Sequence, residues 1–138
     1  SLQHAARSFE TLELRLGEHA VTLRALVDTG NTLKDPMTNE PVLVLDWSAA
    51  ARLLPESNLR EQDFLHPAEL MRRLMLEHPG LRARLVPYRA VGVSQGLLLV
   101  VRCERKGKNG KITPALAAFS PTPVSSGGDY EALTGGAA

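Results

Sequence analysis

The sequence predicts a mostly β domain, a small barrel carrying two or three short helices. Three observations lead there: apolar and charged residues alternate strictly near the start, many short β-rich runs are separated by turn residues, and no internal repeat occurs. A chain of 138 residues suits one hydrophobic core and is short for two, so residues 1–134 are read as a single domain and 135–138 as a frayed tail.

Leu12, Leu14 and Leu16 alternate with Glu13 and Arg15, giving a first strand with one face toward a core. Gly17-Glu18-His19 supplies a turn, and Val21, Leu23, Ala25 and Val27 continue the alternation on a second strand. That hairpin delivers the chain into Asp28-Thr29-Gly30. Asp35-Pro36 and Thr38-Asn39-Glu40 read as a loop before a strand from Pro41 to Leu45. A short helix is expected over 48–54, stopped near Pro55, and a polar loop over 56–66. Pro67 opens a helix running to His78, with Leu70, Met71, Leu74 and Met75 on one face as core packing. Leu85 to Val93 and Leu97 to Cys103 are β-rich runs around Gly92-Val93-Ser94-Gln95-Gly96. Asn109-Gly110 is a hairpin signal ahead of a strand from Ile112 to Phe119. Asp129 or a neighbour is expected to cap a last short helix through Leu133.

Composition narrows the function classes. Hydrophobic residues at 43% with 22% charged describe a chain that folds rather than one that stays disordered. A formal net charge of +1 provides no general field for nucleic acid or an anionic membrane surface. Cys103 is the single cysteine, which excludes an internal disulfide and the thiolate-rich zinc sites. No apolar run reaches the roughly 18 residues of a membrane-spanning helix. The start, Ser1-Leu2-Gln3-His4, has no initiator methionine and no signal pattern, and is expected to be the cut edge of something longer.

Asp28, at the end of an apolar strand and followed by Thr29 and Gly30, is the arrangement of an aspartic peptidase. Such chemistry needs two carboxylates face to face. They cannot both ionise, so they share one proton. The ionised member takes a proton from water while the protonated member donates to the scissile carbonyl oxygen. No second Asp-Thr-Gly or Asp-Ser-Gly occurs in the chain. A twofold homodimer supplies the missing aspartate by symmetry. Three residues alone are a weak signal, because an Asp-Gly turn ending a strand reads the same way.

A longer stretch adds to it. Asp28-Thr29-Gly30-Asn31, then Leu33, Asp35-Pro36, Thr38 and Pro41-Val42 resemble, at the same intervals, the signature of the sporulation sigma-E factor-processing peptidases. The resemblance continues through Val86-Pro87-Tyr88-Arg89-Ala90-Val91-Gly92, Gly96-Leu97-Leu98-Leu99, Ala117-Ala118-Phe119-Ser120 and Ser126-Gly127-Gly128-Asp129-Tyr130-Glu131-Ala132-Leu133. It implies a retroviral-protease-like closed barrel and an aspartic endopeptidase acting as a homodimer without metal or other cofactor. It also implies a parent protein with an N-terminal membrane half, held at the cytosolic face of the membrane on the mother-cell side of the sporulation septum. The implied substrate is a sigma-factor precursor that loses an N-terminal extension, and the implied activator is a signalling protein secreted by the forespore. Residue by residue, Asp28 matches the catalytic aspartate and Thr29 the threonine bonding across the dimer axis. Gly30 matches the glycine that leaves room beside the carboxylate. Asn31 follows the sporulation family rather than retroviral proteases, with a side chain suited to bracing the loop or touching substrate. The flap that closes over bound peptide corresponds to Tyr88, Arg89, Val91, Gly92, Val93, Ser94, Gln95 and Gly96. Its shortness implies that the isolated domain is poorly active without its membrane half or activator. The apolar pair and glycine that cross behind the active loop in retroviral proteases align here with Ser125-Ser126-Gly127, an imperfect match.

Other readings stay open at this level. One is a non-catalytic dimerisation or peptide-binding module on the same fold. Another is a serine hydrolase using Ser94 in Gly92-Val93-Ser94-Gln95-Gly96, although that elbow needs a helix after it. His4, His19, His66 and His78 have no metal-ligand spacing. The basic run Arg105 to Lys111 lacks interleaved aromatics and reads as a solvated hairpin rather than a nucleic-acid contact. Arg72, Arg73, Arg82, Arg84 and Arg89 are free, on sequence alone, to face an acidic partner or a membrane leaflet.

Overall fold

The computed structural model describes residues 7–31, 33–90 and 93–135, without the side chains of 89, 90 and 93–95. Alternation decides the first two strands. β1 (Ser8–Leu16) and β2 (His19–Val27) form an antiparallel hairpin in which Leu12, Leu14, Leu23 and Ala25 are buried and their sequence neighbours face outward. Both strands begin earlier than the alternating apolar residues alone indicate, because Ser8 pairs with Val27 and Leu16 with His19. Next come β3 (Val42–Leu45), helix α1 (Trp47–Leu53) and helix α2 (Pro67–Glu77). The predicted 56–66 loop contains two short 3-10 turns, Pro55–Ser57 and Glu61–Leu65, the second fixed by burial of Phe64. β4 (Ala83–Ala90), β5 (Val93–Lys106) and β6 (Ile112–Phe119) form an antiparallel run.

The chain's last described element departs from expectation. Residues 132–134 form a strand, β7 (Ala132–Thr134), not the end of a helix. It runs parallel to β2 and antiparallel to β3, so it fills the slot between them. Ladder hydrogen bonds on both sides outweigh what an isolated short helix could make. The sheet order is β1-β2-β7-β3-β6-β5-β4, and β1 also pairs with β5. The pairings therefore return to their starting strand, a mixed seven-stranded sheet with two α-helices. The 14-residue length of β5 makes the return possible, because its far end, Glu104 to Lys106, reaches β1.

Burial on both faces follows from β5's run of apolar residues. Leu99, Val101 and Cys103 join Leu12, Leu14, Leu23, Leu45, Phe64 and the helix residues Leu53, Leu70 and Leu74 in the main core. Leu98 and Val100 point the other way, into a second cluster with Val42, Val86, Leu116 and Ala118, against which Leu33 and Tyr88 pack. On α2, Leu70 and Leu74 are buried whereas Met75 is largely exposed. The Asn109-Gly110 signal sits in a five-residue turn rather than a two-residue one: Lys106 pairs with Ile112, and Gly107 N–H donates to Lys111 O. Among the described residues no helix is long and apolar enough to cross a membrane.

Asp46 ties three elements. Its Oδ2 accepts from Ser48 N–H at 3.2 Å and caps α1. Its Oδ1 accepts from Val124 N–H at 3.0 Å, and its own N–H donates to Glu131 O at 2.8 Å. Asp46→Ala removes the cap and strands Val124 N–H together. The expected loss is about 1–2 kcal/mol in urea unfolding, and a loss under a few tenths would show that the cap is replaceable by water.

Candidate active site

β2 ends at Val27, and the next residue leaves the sheet. Asp28 N–H still donates to Thr134 O at 2.8 Å, so β7 holds the exit from behind. The Asp28 carboxylate is exposed, and its Oδ1 accepts from Gly30 N–H at 2.9 Å. A methyl group on Gly30 would lie 3.2 Å from that oxygen, which is why glycine suits the position. Asn31 N–H donates to Asp28 O at 2.9 Å, closing a tight turn, and Asn31 Oδ1 accepts from Leu33 N–H at 3.2 Å. The Asn31 side chain thus braces the loop. Thr29 is exposed beside them.

Sequence reasoning placed the strand behind this loop eight residues too early. The glycine there is Gly135, not Gly127: a Cβ on Gly135 would approach Asn31 O to 2.9 Å. Ala132-Leu133 is the apolar pair before it, separated by Thr134. The signal was present as two apolar residues followed closely by glycine, but Asp129-Tyr130-Glu131 read as a helix start and masked it.

The segment after Asn31 doubles back on itself. Val42 N–H donates to Leu33 O at 3.0 Å, and Lys34 bridges Pro41. Asp35, only 1% exposed, accepts from Met37 N–H through Oδ1 at 2.8 Å. Its other oxygen is ion-paired to Arg84 of β4. Glu40 is held by both terminal nitrogens of Arg102 on β5, at 2.8 and 2.7 Å. Hydrogen bonding from Arg102, aided by Thr38 and opposed by desolvation, lowers the Glu40 carboxyl to about 2 from its ordinary 4.5. A carboxyl whose folded value is depressed stabilises the fold above its unfolded value and loses that contribution as pH falls toward the folded one. The stability difference between the wild type and Glu40→Gln should therefore be constant above pH about 4.5 and close as pH drops toward about 2. Thermal unfolding across that range checks it. A gap that persists unchanged down to pH 2 would contradict the ion pair.

Tyr88 and Gly96, the ends of the expected flap, face each other across β4 and β5, and Ala90 pairs with Val93. A Cβ on Gly96 would lie 2.6 Å from the Tyr88 ring, so the ring lies over a position that only glycine can occupy without movement. Val91 and Gly92 fall outside the described residues, as do the side chains of Arg89, Val93, Ser94 and Gln95. β5 extends further toward the tip than the sequence indicates, since Val93 to Gly96 belong to it, whereas β4 ends at Ala90, short of the expected Val93. Ser94 accordingly sits in a strand running to Lys106, where a nucleophile elbow requires a helix.

Other expected features have structural partners. His19 Nε2 lies 2.5 Å from Glu56 and His78 Nε2 lies 2.7 Å from Ser57 Oγ. Among the described residues no group of three or more His, Cys, Asp or Glu side chains could hold a metal ion. Arg73 is engaged by Asp63 and Glu77, Arg84 by Asp35 and Arg105 by Glu10. Cys103 is buried, and loss of hydration pushes its thiol up to about 12.

Two clefts, of about 310 and 460 Å³, open elsewhere, and residues 28–31 line neither of them. Asp28 itself is exposed.

Comparison with known proteins agrees with the family resemblance. The chain is 29% identical over 131 residues to the sporulation sigma-E factor-processing peptidase of Priestia megaterium, covering 88% of this chain and 41% of that protein. A putative sporulation sigma factor-processing peptidase of Bacillus thuringiensis subsp. kurstaki is 27% identical, covering 88% and 78%. The sporulation sigma-E factor-processing peptidase of Bacillus subtilis is 26% identical, covering 89% and 42%. The chain thus spans about two fifths of two of these relatives. No solved structure matches significantly. The model of the family described as sporulation factor SpoIIGA matches residues 3–136, nearly the whole chain, and the protein belongs to that family.

Proposed function

We propose that this chain is the peptidase domain of a sigma-factor-processing protein, an aspartic endopeptidase whose catalytic pair is Asp28 and the Asp28 of a second copy. The observation that carries this reading is the mounting of Asp28: an exposed carboxylate at a strand end, oriented by Gly30 N–H and held from behind by Thr134 O. A side chain so placed can meet its twofold mate without desolvating either one beforehand. The closed circuit of pairings and the strand β7 threaded between β2 and β3 support a retroviral-protease-like barrel.

In the resulting dyad one Asp28 carries the shared proton. The ionised partner deprotonates water, and the protonated one donates to the peptide carbonyl as the tetrahedral intermediate forms. Gly30 N–H stabilises the ionised oxygen, and the Thr29 hydroxyl bonds across the axis. Tyr88 to Gly96 form the flap. In the dimer both copies wall the substrate groove. The substrate is a sporulation sigma-factor precursor cut near its N-terminus. The relatives' greater length supports a further half that anchors the parent protein at the cytosolic face of the membrane, where a forespore signal promotes pairing.

The deciding experiment is cleavage of such a precursor by the protein and by its Asp28→Ala and Ser94→Ala variants, with circular dichroism confirming the folds. Loss with Asp28→Ala alone supports the aspartic reading. Cleavage surviving Asp28→Ala overturns it, and no cleavage by the folded, dimeric parent protein leaves the peptide-binding module as the better description.

A further inference from the structure

The loop between the candidate catalytic residues and β3 makes contacts that a mere connection does not need. Arg84, Val86 and Tyr88 lie on one face of β4. Leu98, Val100 and Arg102 lie on the same face of β5, because Val86 pairs with Leu98 and Arg84 with Val100. Leu33 packs on the apolar centre of that face, and Asp35 and Glu40 take the two arginines at its edge. A carboxylate that is 1% exposed is costly unless paired, so Asp35 is fixed wherever Arg84 is fixed.

From the ion pairs a series of hydrogen bonds, joined by the intervening backbone, leads back to Asp28. Asp35 N–H donates to Glu40 O at 2.9 Å and Val42 N–H to Leu33 O at 3.0 Å. Leu33 N–H donates to Asn31 Oδ1, Asn31 N–H to Asp28 O, and Gly30 N–H to Asp28 Oδ1. Each link is local and short, and together they join the shaft of the β4–β5 hairpin to the carboxylate.

We propose that the 33–41 loop is a strut between the β4–β5 hairpin and the Asp28 turn, and that Asp35, Glu40, Arg84 and Arg102 are positioning residues that set the aim of Asp28. The chemistry they serve rests on the aspartic-peptidase reading, but the mechanical link does not. Since Asp35 is too buried to reverse safely, the Glu40–Arg102 pair, with both side chains partly exposed, is the better probe. In the parent protein, Glu40→Arg and Arg102→Glu are each expected to lower kcat for precursor cleavage about tenfold, with KM changed less than about twofold, the signature of misplaced reacting groups. Amide exchange at Gly30, Asn31 and Leu33 should quicken about tenfold in both variants as the local opening energy falls. The double reversal E40R/R102E should restore kcat and exchange together. Glu10→Gln, which breaks a different ion pair to β5, should change neither.

Single reversals without effect on exchange at residues 28–33, or a double reversal no better than the singles, would overturn the proposal. So would exchange that rises only within 35–40. Should the wild type cleave nothing, the peptidase reading fails, and the exchange measurements still decide whether the strut exists.

Discussion

Asp28→Asn is expected to lower kcat for precursor cleavage by about 10⁴-fold while leaving the unfolding free energy within about 0.5 kcal/mol. The amide keeps the size of the carboxyl and can still accept from Gly30 N–H, so the exposed turn has no reason to unfold. What it loses is the ability to take a proton from water. In the proposed dyad both members come from the same gene product, so the substitution removes base and acid together. Mixing separates this from simple damage. With Asp28→Asn in fourfold excess over wild type and random pairing, only about a fifth of wild-type chains retain a wild-type mate, and activity per wild-type chain should fall to about that fraction. Activity that stays proportional to the wild-type chain alone would mean that one copy is sufficient, and the shared-proton mechanism would be wrong.

Gly135→Ala should have the next largest effect, through the backbone behind the Asp28 turn. The added methyl would lie 2.9 Å from Asn31 O, a backbone atom that cannot rotate out of the way. Either β7 or the Asp28 turn must shift by several tenths of an ångström. Since misplacement of about 1 Å costs roughly 10²-fold in a reaction that depends on aligned groups, a kcat loss of about 10- to 100-fold is expected. KM should change little, and exchange at Asp28 N–H should quicken as its bond to Thr134 lengthens. Wild-type kcat in Gly135→Ala would show that the turn tolerates displacement, and that β7 is only a filler of the sheet.

The strands whose burial alternates were legible from composition and period, and so was the turn at Asp28, because Leu12 to Val27 carries its pattern locally. The helix Pro67–Glu77 was equally plain from its first-turn proline and its apolar face. β7 was not, since three residues carry no period, and its strand state comes from neighbours more than 80 positions earlier, Ala25 to Val27 and Val44-Leu45. The roles of Asp35 and Glu40 were hidden for a related reason. In sequence they are polar loop residues near a proline, and only the folded arrangement sets them opposite Arg84 and Arg102. Both halves of the hairpin were found, but the second was read as starting at Leu97 rather than Val93, because Gly96 suggested a break where it in fact accommodates the Tyr88 ring.

The parallel seam between β2 and β7 has a consequence for biogenesis. Asp28 is synthesised well before Thr134, whose peptide group receives its N–H, so the turn has no backing until translation has passed that point. Contacts so distant along the chain close late and slowly. A ribosome-bound or truncated product would carry residues 28–31 with no defined aim, and on the proposed reading cutting activity would be withheld from incomplete chains by the order of folding alone.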